Sequence, residues 1–344
     1  MAKKPLPPEV ERLIKTYQAA QIKLINIIAT QEAKGNVTAY RKALLANVNE
    51  ELATLNKYAE GWAKEVIPEA YKTGAASTYA AFRKANIEVG SVKVNQRVVD
   101  GLVRNVIGQL EDATDFVGRR LADDIRKAGL EAVAEKVATG STVQEAKKNL
   151  IERLAQNGIT AIRDKNGRAI SLDSYAAMVA RTSTREATNK AAMQTVRDLG
   201  GDLVRISQHY SACPVCAAYE GRVYSVSGKS KDYPPLSEAF GGYSVIHPNC
   251  AHIISAYFPE FDDRADETKA ESNKPFEVDE EKKKSIEAYN KEQDRKAKLR
   301  ADRDEWEKAK AAAPYQTPKT LSAYKQLKRA DNDKYKSIKE ALRQ

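Results

Sequence analysis

Cysteine and histidine are nearly missing from this 344-residue chain, which has three of each. An odd number of cysteines is a poor basis for a disulfide framework. The simpler expectation is a reducing compartment, where clustered cysteines serve metal binding or catalysis. Aromatic residues are sparse, at 7%. No run of about 18 apolar residues occurs, so no membrane-spanning helix is expected. The start, from Met1 to Pro5 with Lys3 and Lys4, lacks the apolar stretch of a secretory signal. These absences place the protein in a cytoplasm, or in something assembled there.

What is plentiful is charge. Charged residues make up 30% of the chain, with a formal net charge of +10, and the mean hydropathy is −0.59. A polyanion nearby would suit that surplus, although net charge speaks to association rather than to fold. The surplus is unevenly spread. Residues 261–281 carry nine acids against Arg264, Lys269 and Lys274, whereas residues 282–344 carry nineteen Lys and Arg against ten acids. The large aliphatics of that basic stretch are Ile286, Leu299, Leu321, Leu327, Ile338 and Leu342. So few cannot form a compact core alone, and helices that dock on something else are expected, with a loop around Pro314 to Pro318.

The rest reads as a mainly α protein with a small α+β zinc-binding module, long N-terminal helices and a charged, helical C-terminal extension. Val10, Leu13, Ile14, Tyr17, Leu24, Ile25 and Ile28 recur at three- and four-residue spacing. A second helical run covers Ala39 to Gly74, with Pro68 as a kink or break. A third, from Asn95 to Gly140, carries a stripe from Val99 to Ile125. Thr142 with Glu145 forms a capping box for a further helix that stops near Asn157 and Gly158. Asn166-Gly167 then suits a hairpin turn between short strands. Asp173 or Ser174 caps a helix running to Leu199, before Gly200 and Gly201. Strands are expected over Leu203–Gln208, Val223–Val226 and Ile253–Phe258. Three domains follow: a helical one over 1–158, the α+β module over 159–260, and an acidic linker with a basic extension over 261–344.

All the cysteines and histidines lie between His209 and His252. Cys213-Pro-Val-Cys216 has the C-x₂-C spacing that lets two thiolates approach one cation from a tight turn. His247-Pro-Asn-Cys250 repeats that spacing, and His252 follows two positions later. Cys213, Cys216, His247 and Cys250 would complete a tetrahedron. His252 could replace His247, since Cys250 and His252 share a face of an extended chain. His209 is a reserve candidate. Soft thiolates with imidazole favour Zn2+. No βαβ pattern surrounds the cysteines, which argues against a thioredoxin-like redox motif. A catalytic zinc would need an open position and an acid or base. Glu220 and Glu238 are close in sequence, but no spacing singles them out, so the site reads as closed and structural.

Taken in order, these residues form a signature. Ala180-Arg181-Thr182 and Arg185 on a helix precede Cys213-Pro-Val-Cys216, then Gly221-Arg-Val-Tyr224, a Pro234-Pro235 loop and His247-Pro-Asn-Cys250-Ala-His252. The stretch from Arg181 to Pro259 resembles the minor capsid, or head-morphogenesis, proteins of tailed bacteriophages, the Mu-type minor head proteins and their relatives. That family typically closes the signature with a further cysteine where this chain has His252. The resemblance implies a structural virion protein and no enzyme. It would be made in the bacterial host cytoplasm and assembled into the phage head interior near the portal. Its partners would be the portal protein, a major capsid or scaffolding protein and packaged double-stranded DNA, with no membrane. Lys291, Arg295, Lys296, Lys298, Arg300, Lys325, Lys328 and Arg329 are the candidate contacts to DNA or portal, although mixed-sign charge is also usual on exposed helices. The competing expectation is a zinc-dependent nuclease or hydrolase acting on DNA.

Overall fold

Pro8 opens the first helix, α1 (Pro8–Thr30), where its missing N–H is no loss and Glu9 and Glu11 face the positive end of the helix dipole. Its buried face is the expected one, with Val10, Leu13, Tyr17, Leu24, Ile25 and Ile28 inside. The computed structural model describes residues 7–32, 36–139, 147–151, 161–163, 169–209, 213–240, 244–275, 277–278 and 280–342.

Helix α2 (Val37–Lys84) departs from the sequence reading. It begins at the Asn36 cap, whose Oδ1 accepts the Ala39 N–H at 2.9 Å. It then passes through Pro68 and Gly74 without breaking. Packing overrides both residues: Ile67, Tyr71, Ala75, Tyr79 and Phe82 are all buried along this stretch, which offsets the lost hydrogen bond at the proline. Gly74 is a contact point rather than a stop, since a Cβ there would collide with the Thr188 carbonyl. Helix α3 (Gln96–Thr139) matches its stripe, with Val99, Leu102, Val106, Leu110, Val117, Leu121 and Ile125 buried.

The capping box at Thr142 and Glu145, the stop at Asn157 and Gly158, and the Asn166-Gly167 turn lie outside the described residues, although residues 147–151 are helical. The two strands expected around that turn are present. β1 (Ala161–Arg163) pairs antiparallel with β2 (Ala169–Ser171), Ile162 opposite Ile170. Helix α4 (Leu172–Asp198) begins directly after β2, so Asp173 sits in its first turn instead of capping it. The Asp173 carboxylate is taken by other partners: the Ser171 hydroxyl at 2.6 Å, the Gln18 amide at 3.2 Å and the Arg303 guanidinium. The far end closes as read. Gly200, at φ +76°, lets its N–H reach Arg197 O at 3.0 Å and the Gly201 N–H reach Val196 O at 2.9 Å, the paired bonds of a Schellman cap.

Three short strands then form an antiparallel sheet in the order β4 (Val223–Ser225), β3 (Leu203–Ile206), β5 (Ile254–Ala256). Val204 pairs with Tyr224 on one side and Ala256 on the other. Val204, Ile206, Tyr224 and Ile254 pack with Phe82 and Val196. Helix α5 (Leu236–Phe240) follows the Pro234-Pro235 loop. Helix α6 (Ala265–Asn273) covers the β4 side, where the Ser272 hydroxyl accepts the Val223 N–H at 3.0 Å.

The charged C-terminal region is helical: α7 (Glu280–Ala312), α8 (Leu321–Ala330) and α9 (Asp333–Ala341). Its core is aromatic where the sequence reading counted aliphatics. Trp306, Ala309, Tyr324, Tyr335 and Ile338 bury together, with Ile22 of α1 packed against them. Both phenols donate to Glu305 Oε1, at 3.0 and 2.7 Å, and the Trp306 indole donates to Pro318 O at 2.9 Å.

The chain forms two compact units. One comprises Met1–Glu60, Gln109–Ala177 and Arg295–Gln344; the other comprises Gly61–Gly108 and Met178–Asp294. Trp306 is buried in the first and Trp62 in the second. Among the described residues no helix is long and apolar enough to cross a membrane.

Candidate metal centre

The first knuckle is a tight turn. The Cys213 carbonyl accepts the Ala217 N–H at 3.0 Å, and the Cys213 sulfur accepts the Cys216 N–H at 3.3 Å. Both sulfurs therefore point to the same side. In the second knuckle the Cys250 N–H reaches the His247 carbonyl at 3.0 Å, and Asn249 takes a left-handed backbone at φ +64°. Helix α4 holds that turn. The Thr182 hydroxyl accepts the Asn249 N–H at 2.9 Å and Arg181 donates to Asn249 Oδ1 at 3.4 Å. Asn189, fully buried, donates to the carbonyls of Ser244 and His252 at 2.7 and 3.1 Å and accepts the Ile254 N–H at 3.1 Å.

The two knuckles meet. His247 Nε2 lies 3.0 Å from Cys213 Sγ and 2.9 Å from Cys216 Sγ. Cys216 Sγ lies 4.0 Å from Cys250 Sγ, which is 3.5 Å from His252 Nδ1. Cys213, Cys216 and His247 form one group able to hold a cation; Cys216, Cys250 and His252 form another. A tetrahedral zinc with sulfurs about 2.3 Å away separates its ligands by roughly 3.5–3.8 Å; the Cys250–His252 and Cys216–Cys250 spacings lie near that range, and the two His247–sulfur spacings are shorter, at hydrogen-bond length. The donor set fits Zn2+. The two groups share Cys216.

Each imidazole is oriented through its other nitrogen. His247 Nδ1 pairs with Pro248 O at 2.7 Å, and His252 Nε2 with Glu220 Oε1 at 2.6 Å. Metal-binding histidines are commonly fixed in this manner. His209 stands aside: its ring packs edge-on against His252, with centroids 4.4 Å apart, and its Nε2 meets the Ser207 hydroxyl at 3.0 Å. Glu220 and Asn189 are the functional partners that sequence spacing could not single out, because only the fold brings them to the knuckles.

Protonation is divided among these groups. The hydrogen bond from the Cys216 thiol holds Cys213 down to about 4 and Cys250 to about 3, and pushes Cys216 itself up. The bond with Cys213 raises His247 to about 9. Burial opposes a charged His252, but its bonds to Cys250 and Glu220 prevail and raise it to about 9. Around these groups the apolar core is small: Cys213, Cys216, Ala217 and Cys250 are buried, flanked by Val245, Ile246, Ile286 and Tyr289.

The candidate basic contacts divide. Lys291, Arg295, Lys298, Arg300 and Arg329 are exposed, while Lys296 is half-buried. Lys325 pairs with Asp302 at 3.7 Å, and Lys328 with Asp302 at 3.0 Å and with Glu305. The Glu305 bond raises the Lys328 ammonium above its usual range. These two lysines brace α8 against α7.

The fold and site define a mainly helical protein with a small α+β module built around a cysteine–histidine cluster. More particularly, the family model of phage minor capsid protein 2 matches residues 4–339, and the chain belongs to that family. A structural role in the phage capsid follows from it. Neither the curated proteins nor the solved structures contain a match.

Proposed function

We propose that the protein is a minor component of the phage head at the portal vertex, assisting head assembly, with a structural zinc ion fastening its α+β module. The convergence of both knuckles on one cluster carries the zinc reading. Cys213, Cys216, Cys250 and His247 hold the ion, because His247 Nε2 already rests against two of the three sulfurs. His252, bonded to Glu220, supports the site from outside. Zinc supplies folding energy that the few apolar residues of the cluster cannot.

Metal analysis of purified protein tests this: about one zinc per chain is expected, as in a closed four-ligand site. In a cobalt-substituted sample His247→Ala should lose the tetrahedral spectrum, and His252→Ala should keep it. Mass spectrometry and cryo-microscopy of particles test the location. Absence from virions would sink the portal reading.

The same reading places packaged DNA against the exposed cations of α7. Lys284, Lys291, Arg295 and Lys298 share its outward face, all exposed, over about 21 Å of helix. Neutral substitution of these four should lower the slope of log affinity against log salt by about 3 to 4 units. An unchanged slope would assign the helix to a protein partner or to solvent.

A further inference from the structure

Helix α4 lays one face along the second knuckle. Thr182 holds the Asn249 N–H, and Asn189 holds the carbonyls of Ser244 and His252. Arg185 lies between them, three residues after Thr182 and four before Asn189, the spacing that puts all three side chains on one face. That face of α4 is the one that meets the chain between Asn249 and His252, and Cys250 is a charge neighbour of Arg185. Arg185 is half-buried, and burial works against its charge. No carboxylate pairs with it among the described residues. A desolvated cation needs an anion, and Cys250 bound to zinc as a thiolate would supply one.

A zinc ion held by three thiolates and one imidazole carries one formal negative charge in excess. We propose that Arg185 is the counter-charge of the metal centre: it offsets that excess and strengthens the hold on a divalent cation. Arg181 and Thr182 shape the turn; Arg185 balances the charge. This rests on the zinc reading above.

Arg185→Met keeps the length of the side chain and removes its charge. Zinc affinity, measured by competition with a chromophoric chelator, should fall by about 10- to 100-fold. The cobalt-substituted variant should keep the thiolate-to-metal band of a tetrahedral site. Arg185→Lys restores the charge and should stay within about threefold of the parent. A folded Arg185→Met protein with parental affinity overturns the proposal. So does a Lys variant as weak as the Met variant, which would assign Arg185 to packing. If Arg185→Met fails to fold, the Lys variant decides by the same criterion. Failure of the zinc reading looks different, because the unmodified protein would then bind no zinc.

Discussion

Single atoms decide the cluster's behaviour. Cys213 contributes a sulfur to the donor set and accepts the Cys216 N–H. Cys213→Ser should abolish stoichiometric zinc and unfold the module, with protease cleavage appearing between residues 203 and 256. Unchanged zinc content and resistance would contradict the assignment. Asn189 is the second sensitive position. Its amide satisfies three buried backbone groups, so Asn189→Ala should cost about 3 kcal/mol in denaturant titration. A loss near zero would mean that water replaces the amide. The cysteines, His247 and His252 were legible in the sequence because their close spacing marks them as one potential donor set. Glu220, Asn189 and the role of Arg185 were not, because nothing local ties them to a knuckle.

Among the elements, α2 shows where local rules yield to packing. Pro68 and Gly74 both argue for an end, yet the helix continues because its buried face continues to Phe82. Gly74→Ala favours the helix by roughly 1 kcal/mol in propensity but collides with the Thr188 backbone, and a net loss of about 2 kcal/mol is expected by thermal unfolding. The capped, periodic helices α1 and α3 read correctly, since there propensity and burial agree. Helix α7 holds a pH-sensitive residue. Burial, and then the Asp173 carboxylate, raise Glu307 to about 8 from a usual 4.5. Between those values the folded protein keeps a proton that the unfolded chain has released, so stability falls as pH rises through this window. Glu307→Gln should remove that decline and stabilise the protein at pH 8 by roughly 3 kcal/mol, allowing for partial exposure to water. Parallel melting-temperature profiles for the two proteins, from pH 5 to 8, would refute it.

For the molecule as a whole, metal removal should act unevenly. Chelation is expected to raise hydrogen exchange in β3, β4, β5 and both knuckles, and to leave the protected amides around Leu13, Leu24 and Leu121 unchanged. Uniform loss of protection would mean that the ion supports the entire chain. The mainly helical class with its small α+β part was readable from periodicity and strand alternation, and the family from its ordered motif. How the C-terminal helices find a core was not readable, since Trp306, Tyr324 and Tyr335 lie scattered among lysines and meet only in three dimensions. The chain's tryptophans, two in number, fall one to each compact unit, Trp62 in one and Trp306 in the other, both shielded from water. Each half of the protein therefore carries its own intrinsic fluorophore. Replacing either indole with phenylalanine leaves an emission signal that follows the other half alone, without any dye attached.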